Sequence, residues 1–163
     1  MKFNINSIYN KDVPQFLNDY LNYLATIKGC SNATIIAYTA DLSLLLKFLK
    51  LSKGLVPSEN DAKLEEISIS DLTIDILKTL DLQDLYAFIS YLGSQRANGN
   101  YAKARKIAAI KSLFRYLTTK AKVLSSNPTL EMESPKLSMR NPVYLTLDES
   151  KTLLEATNTR HKH

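Results

Sequence analysis

Apolar residues recur at the three- and four-residue steps of an α-helix through most of this chain. The first stripe is Phe16, Leu17, Tyr20, Leu21, Leu24 and Ile27. It is entered through Pro14, which a first helical turn tolerates, and closed by Gly29. Ser31 is placed to cap a second helix, whose stripe runs Ile35, Tyr38, Leu42, Leu45, Leu46, Leu49. Leu44 and Phe48 fall on the opposite side, so the second half of this helix is predicted to be buried from two directions. Lys53-Gly54-Leu55-Val56-Pro57-Ser58 ends it, and the stretch beyond reads as a loop with one short helix around Ile74 to Leu77. Asp81 caps a third long helix with Leu85, Phe88, Ile89 and Leu92 inward and Gly93 near its end.

After the turn signal Asn98-Gly99-Asn100, a further helix runs through about Thr119. Ile107, Ile110, Leu113, Phe114 and Leu117 share one side of it, while Arg105, Lys111, Ser112, Arg115 and Lys122 gather on the opposite arc. Pro128, Pro135 and Pro142 rule out a continuous helix in the stretch that follows, which reads as a linker. Thr146-Leu147-Asp148-Glu149 is a capping box opening a last amphipathic helix with Leu153 and Leu154. The expected fold is all-α, a bundle of four to five helices. The expected divisions are a weakly ordered start at 1–12, the bundle at 13–124, a linker at 125–142 and the start of a further domain at 143–163.

Composition narrows the class. At 163 residues and 45% hydrophobic, the chain is long enough to bury one core. No apolar run approaches the roughly 20 residues of a membrane span, and the first residues do not resemble a signal peptide, so a soluble, cytoplasmic protein is expected. One cysteine, Cys30, leaves no intramolecular disulfide, and two histidines without partner cysteines fit none of the usual zinc modules. No cofactor or metal is expected.

The charge excess, 21 Lys and Arg over 16 Asp and Glu, is modest, but its distribution is informative. From Arg96 to Lys122 every charged residue is basic: Arg96, Lys103, Arg105, Lys106, Lys111, Arg115, Lys120 and Lys122. From Glu59 to Asp84 acids dominate, with Lys63 and Lys78 the exceptions. A helix held down by its apolar stripe must turn its cations outward, and a polyanion is the commonest reason for such a surface.

Four segments in order carry a resemblance to a known family. Phe16-Leu17 to Gly29, then Ser31-x-x-Thr34-x-x-x-Tyr38-x-x-Asp41-Leu42, resembles the opening pair of helices in the core-binding region of tyrosine recombinases of the Xer and phage-integrase type. Ala104-Arg105-Lys106-Ile107 through Leu113-Phe114-Arg115-Tyr116-Leu117 resembles the fourth helix of that region. Asn127-Pro128 and Ser134-Pro135-Lys136 are similar to its linker, and Tyr144-Leu145-Thr146-Leu147-Asp148-Glu149 resembles the first helix of the catalytic domain. The resemblance implies an orthogonal, SAM-like bundle that grips duplex DNA as half of a clamp, in a parent that assembles as a tetramer on paired sites. It also implies a tyrosine nucleophile with arginines, a lysine and histidines around the phosphate. None of those catalytic motifs is found here, and Arg160-His161-Lys162-His163 does not match the family's His-x-x-Arg pattern, so no catalytic residue is assigned and the chain reads as a fragment that is not itself an enzyme.

The candidate DNA-binding residues are Lys103, Lys106, Lys111 and Arg115 for phosphate grip. Arg105 is the candidate for groove reading, together with the start of the second helix at Ser31, Asn32 and Thr34. Each has a plainer role beside it: Ser31 is an N-cap on any account, and Lys106, near the apolar edge, has a stem suited to lying along the core. The rival from another class is a helical protein-interaction module in which the acidic stretch docks on the basic helix of a neighbouring copy.

Overall fold

The computed structural model describes residues 9–56, 63–138 and 146–159. Among them the chain is helical and contains no strand, as expected. The helices are α1 (Gln15–Thr26), α2 (Asn32–Ser52), α3 (Asp75–Lys78), α4 (Leu82–Ser94), α5 (Asn100–Thr119) and α6 (Leu147–Thr159), with a 3₁₀ turn at Leu64–Glu66.

Local chemistry sets the boundaries. Pro14 flanks α1 in an extended conformation, and Gly29 takes φ +63° in the turn to α2, a value that favours glycine. Ser31 Oγ accepts the Thr34 backbone N–H at 3.3 Å. At α4 the Asp84 N–H donates to Asp81 Oδ1 at 2.9 Å, and the Asp81 N–H donates back to Asp84 Oδ2 at 3.2 Å. The same reciprocal pairing opens α6, where Thr146 N–H donates to Glu149 Oε2 at 2.8 Å and holds that carboxyl below the usual range.

The core forms where α1, α2, α4 and α5 turn their stripes inward. Leu17, Tyr20, Leu42, Leu45, Leu46, Leu85, Phe88, Leu92, Leu113 and Phe114 are completely buried. α2 is central, meeting α1, α5 and the 3₁₀ turn. Its predicted two-sided burial is observed, since Phe48 packs across from the main stripe against Phe88 and Tyr91, with ring centroids 5.4 and 5.3 Å away.

The acidic stretch has a definite place. Lys47 Nζ donates to the Glu65 carbonyl at 2.8 Å, and Lys50 Nζ reaches the Ser68 carbonyl at 2.8 Å and Asp71 Oδ1 at 2.7 Å. The Lys50 ammonium keeps the Asp71 carboxyl below its ordinary value. Leu64, Ile67 and Ile69 are buried beneath. The stretch is therefore strapped to α2 by lysines above and apolar side chains below. Glu59 and Asp61 lie outside the described residues.

Residues 125–138 are non-helical, as the prolines require, yet they lie down on the bundle. Thr129 and Met132 are buried. The Glu133 N–H donates to Tyr86 Oη at 3.1 Å, Asn100 Nδ2 to the Lys136 carbonyl at 3.1 Å, and Tyr101 Oη to the Ser138 carbonyl at 2.9 Å. Pro142 lies outside the described residues. No described helix is long and apolar enough to cross a membrane.

Phe88 is the bolt between α4 and α2, so Phe88→Ala should cost about 3–5 kcal/mol of unfolding free energy, read as a drop in denaturant midpoint at unchanged slope.

Candidate nucleic-acid interface

The side of α5 that avoids the core is cationic because the apolar stripe takes the inward side of the helix. Ile107, Ile110, Leu113, Phe114 and Leu117 are buried, which leaves Tyr101, Arg105, Ala108, Arg115 and Thr119 exposed, with Lys111 and Ser112 half-buried beside them. Arg105 and Arg115 are ten residues apart, about 15 Å along the helix axis. Among the described residues, no carboxylate lies within ion-pair distance of Lys111, Arg115 or Lys120. The described acids of the acidic stretch that form long-range pairs hold other cations instead: Glu65 takes Arg96, Asp71 takes Lys50 and Asp84 takes Lys53.

Two ties aim this face. One is a buried carboxylate, Asp41 of α2, 3% exposed. Arg105 grips it with a two-pronged fork, Nε to Oδ2 and Nη2 to Oδ1, both at 2.9 Å, and Lys106 Nζ approaches Oδ1 from the buried side at 2.9 Å. The pairing keeps the Arg105 guanidinium protonated more firmly than usual. The second tie is Tyr20 of α1, whose hydroxyl donates to Ser112 Oγ at 2.7 Å. Burial pushes the Tyr20 phenol upward, and Cys30 and Tyr38 are near enough to add to the rise.

The expected site residues divide accordingly. Arg105, Lys111 and Arg115 sit on the outer arc of α5, and Ser31, Asn32 and Thr34 open α2. Ser31 is a cap as well as a candidate contact, its Oγ also 3.0 Å from Thr34 Oγ1. Lys106 departs from its expected position. It is 7% exposed on the same stripe as Leu113 and Leu117, and its ammonium is occupied by Asp41, so it is not a free phosphate contact. Lys103 leans towards α4, where a Cβ on Gly93 would stand 2.8 Å from its Nζ; the bare glycine makes room for the lysine end. Ser112, expected among the outward polar groups, is half-buried under Tyr20. Lys122 leaves the row because α5 ends at Thr119 and Lys122 takes φ +53° in the following turn.

One cation escaped the sequence reading. Lys28, just after α1, lines a small cavity of about 110 Å³ with Tyr23, Ser112, Arg115, Tyr116, Thr119 and Lys120. It lies outside the basic run in sequence, and only the packing of α1 on α5 brings it there. The Tyr116 ring, 4.9 Å from Tyr23 and 5.5 Å from Tyr20, forms the floor, and burial raises its phenol. Among the described residues, no cluster of His, Cys, Asp and Glu could hold a metal ion.

Comparison with known proteins supplies the class: the chain belongs to the tyrosine recombinases. Xer proteins are among its relatives there. It is 50% identical over 143 residues to tyrosine recombinase XerC of Caldanaerobacter subterraneus subsp. tengcongensis, which covers 88% of this chain and 40% of that protein. It is 33% identical over 145 residues to tyrosine recombinase XerD of Haemophilus influenzae, covering 88% of this chain and 39% of that one. Tyrosine recombinase XerD of Listeria monocytogenes serotype 4b is 28% identical over 143 residues, covering 88% and 41%. The chain thus spans about two fifths of the length of these relatives. No family model and no solved structure matches it.

Removing the shared carboxylate strands two cations, one of them buried. Asp41→Ala should therefore destabilise the chain by about 3–5 kcal/mol, whereas Asp71→Ala, which breaks a pair whose acid is 66% exposed, should stay within about 1 kcal/mol. Chemical denaturation of the two variants checks the contrast.

Proposed function

We propose that this chain is the DNA-gripping bundle of a site-specific tyrosine recombinase and forms half of a clamp around the recombination site. The observation that carries this reading is the uncovered cationic arc of α5, with Arg105, Lys111 and Arg115 on one face and Lys28 and Lys120 at its end. Duplex DNA carries one negative charge per roughly 1.7 Å, so a rigid row of cations displaces condensed counterions and binds with a steep dependence on salt. Lys111, Arg115, Lys28 and Lys120 are the phosphate contacts in this reading. Arg105 and the first turn of α2, with Ser31, Asn32 and Thr34, face the base edges, where a guanidinium can take both acceptors of a guanine. The N-terminus of α2 adds the first-turn N–H groups that Ser31 leaves uncapped, which favour an anion.

Cutting and rejoining of strands through a tyrosine belongs, in this reading, to a further domain of the parent protein, working in the cytoplasm as a tetramer on paired sites. This chain supplies position and grip and no catalytic group.

The protein-interaction alternative requires acidic side chains free to reach a basic helix in a neighbour. The loop's occupied carboxylates, Glu65 on Arg96 and Asp71 on Lys50, speak against it. Duplex binding across a salt series tests the choice. Lys111→Ala with Arg115→Ala should weaken binding to all duplexes and flatten the slope of log affinity against log salt by about two units, near one for each phosphate that is no longer neutralised. An unchanged affinity and slope would overturn the assignment.

A further inference from the structure

We infer that Asp41 is a positioning residue for base recognition: it holds Arg105 as a fixed two-pronged reader instead of a mobile point charge. The inference rests on the proposed DNA-binding function and deepens it.

An exposed arginine on a helix ordinarily samples many rotamers, and freezing it on binding costs affinity. Arg105 is already frozen. Its Nε and Nη2 are both spent on Asp41, at 2.9 Å each, while the side chain as a whole remains 52% exposed. The fork is planar, so fixing one edge fixes the other. Among the described residues Nη1 has no partner, so the end of the guanidinium formed by Nη1 and the second hydrogen of Nη2 remains unspent, on a side chain that lines a surface groove with Lys47, Glu65 and Arg96. Two parallel donors in that geometry match the O6 and N7 acceptors of guanine in the major groove.

Lys106 makes the device workable. A carboxylate paired with Arg105 alone would offset the guanidinium charge and present a neutral pair to DNA. With Lys106 Nζ also 2.9 Å from Asp41 Oδ1, and itself 7% exposed, the cluster keeps one net positive charge. The buried lysine carries the neutralisation, and the exposed arginine remains electrostatically available. Asp41 sits in α2 and Arg105 in α5, so the reader is also locked to the helix pair that opens with Ser31, Asn32 and Thr34.

The test uses the whole chain and a randomised duplex pool, with bound sequences scored position by position for wild type, Arg105→Lys and Asp41→Asn. Wild type should prefer guanine at one position by about ten- to a hundred-fold, the discrimination of one bidentate pair. Arg105→Lys should erase that single preference while leaving other positions and the salt slope unchanged, because the charge stays and the fork goes. Asp41→Asn, if it folds by circular dichroism, should lose the preference at the same position and no other. A merely structural Asp41 would weaken all positions together. The inference falls if Arg105→Lys keeps the guanine preference, or if a folded Asp41→Asn keeps it or loses every position equally. In those cases, continued loss of binding on replacing Lys111 and Arg115 leaves the DNA-gripping reading standing. If wild type binds no duplex at low salt, both fall.

Discussion

The structure turns on one buried carboxylate. Asp41 sits at the edge of the α2 stripe, 3% exposed, and two cations from consecutive positions of α5 converge on it. Burying a lone charge is costly, so this group is stable only with partners in place, and its partners come from a helix 64 residues on in sequence. The pairing selects the rotation of α5 against α2. Once Lys106 is drawn in under the surface, Arg105 lies at the rim, and Lys111 and Arg115 follow round the outer arc at helical spacing. The hydrophobic stripe alone would tolerate a small rotation; a fork at 2.9 Å does not.

The same logic explains where the acids go. A basic helix and an acidic loop in one chain ought to neutralise one another, which would leave nothing for a polyanion. Here α2 prevents it by supplying its own lysines, Lys47 and Lys50, to the loop backbone and to Asp71. Arg96, at the start of the basic run, is given up to Glu65. These mostly exposed pairs contribute little stability each, and their consequence is geometric: the described part of the acidic stretch is held on α2, where Glu65 and its partner Arg96 share a surface groove with Arg105, and none of its described acids pairs with Lys111 or Arg115.

Much of this was legible in the residues. Helix positions followed from the 3.6-residue stripe, and their ends from Pro14, Gly29, Ser31, Asp81 and Thr146, because caps and stops are local chemistry. The outward direction of Arg105, Lys111 and Arg115 followed from the same period. Lys106 was misplaced because a lysine on an apolar stripe reads equally as a snorkelling stem or as half of a buried pair, and its partner lies far away in sequence. Even so, Lys106 shares its stripe with Leu113 and Leu117 at seven- and eleven-residue steps, which is the pattern of a buried position. Lys28 and the leaning of Lys103 over Gly93 depend on interhelical packing, for which no local pattern stands. The docking of residues 125–138 was hidden for a related reason: prolines announce that a segment is not helical, but not that Met132 behind them is buried.

The central claim is that the outer arc of α5, set by Asp41, is the surface that meets DNA. Its most direct test is backbone amide NMR of the full chain titrated with a duplex oligonucleotide at low ionic strength. The account predicts shifts concentrated at Arg105, Ala108, Lys111, Ser112, Arg115 and Thr119, with a second group at Ser31 to Thr34, all receding as salt is added. Shifts absent from these positions, or confined to the acidic segment from Lys63 to Asp75, would contradict it.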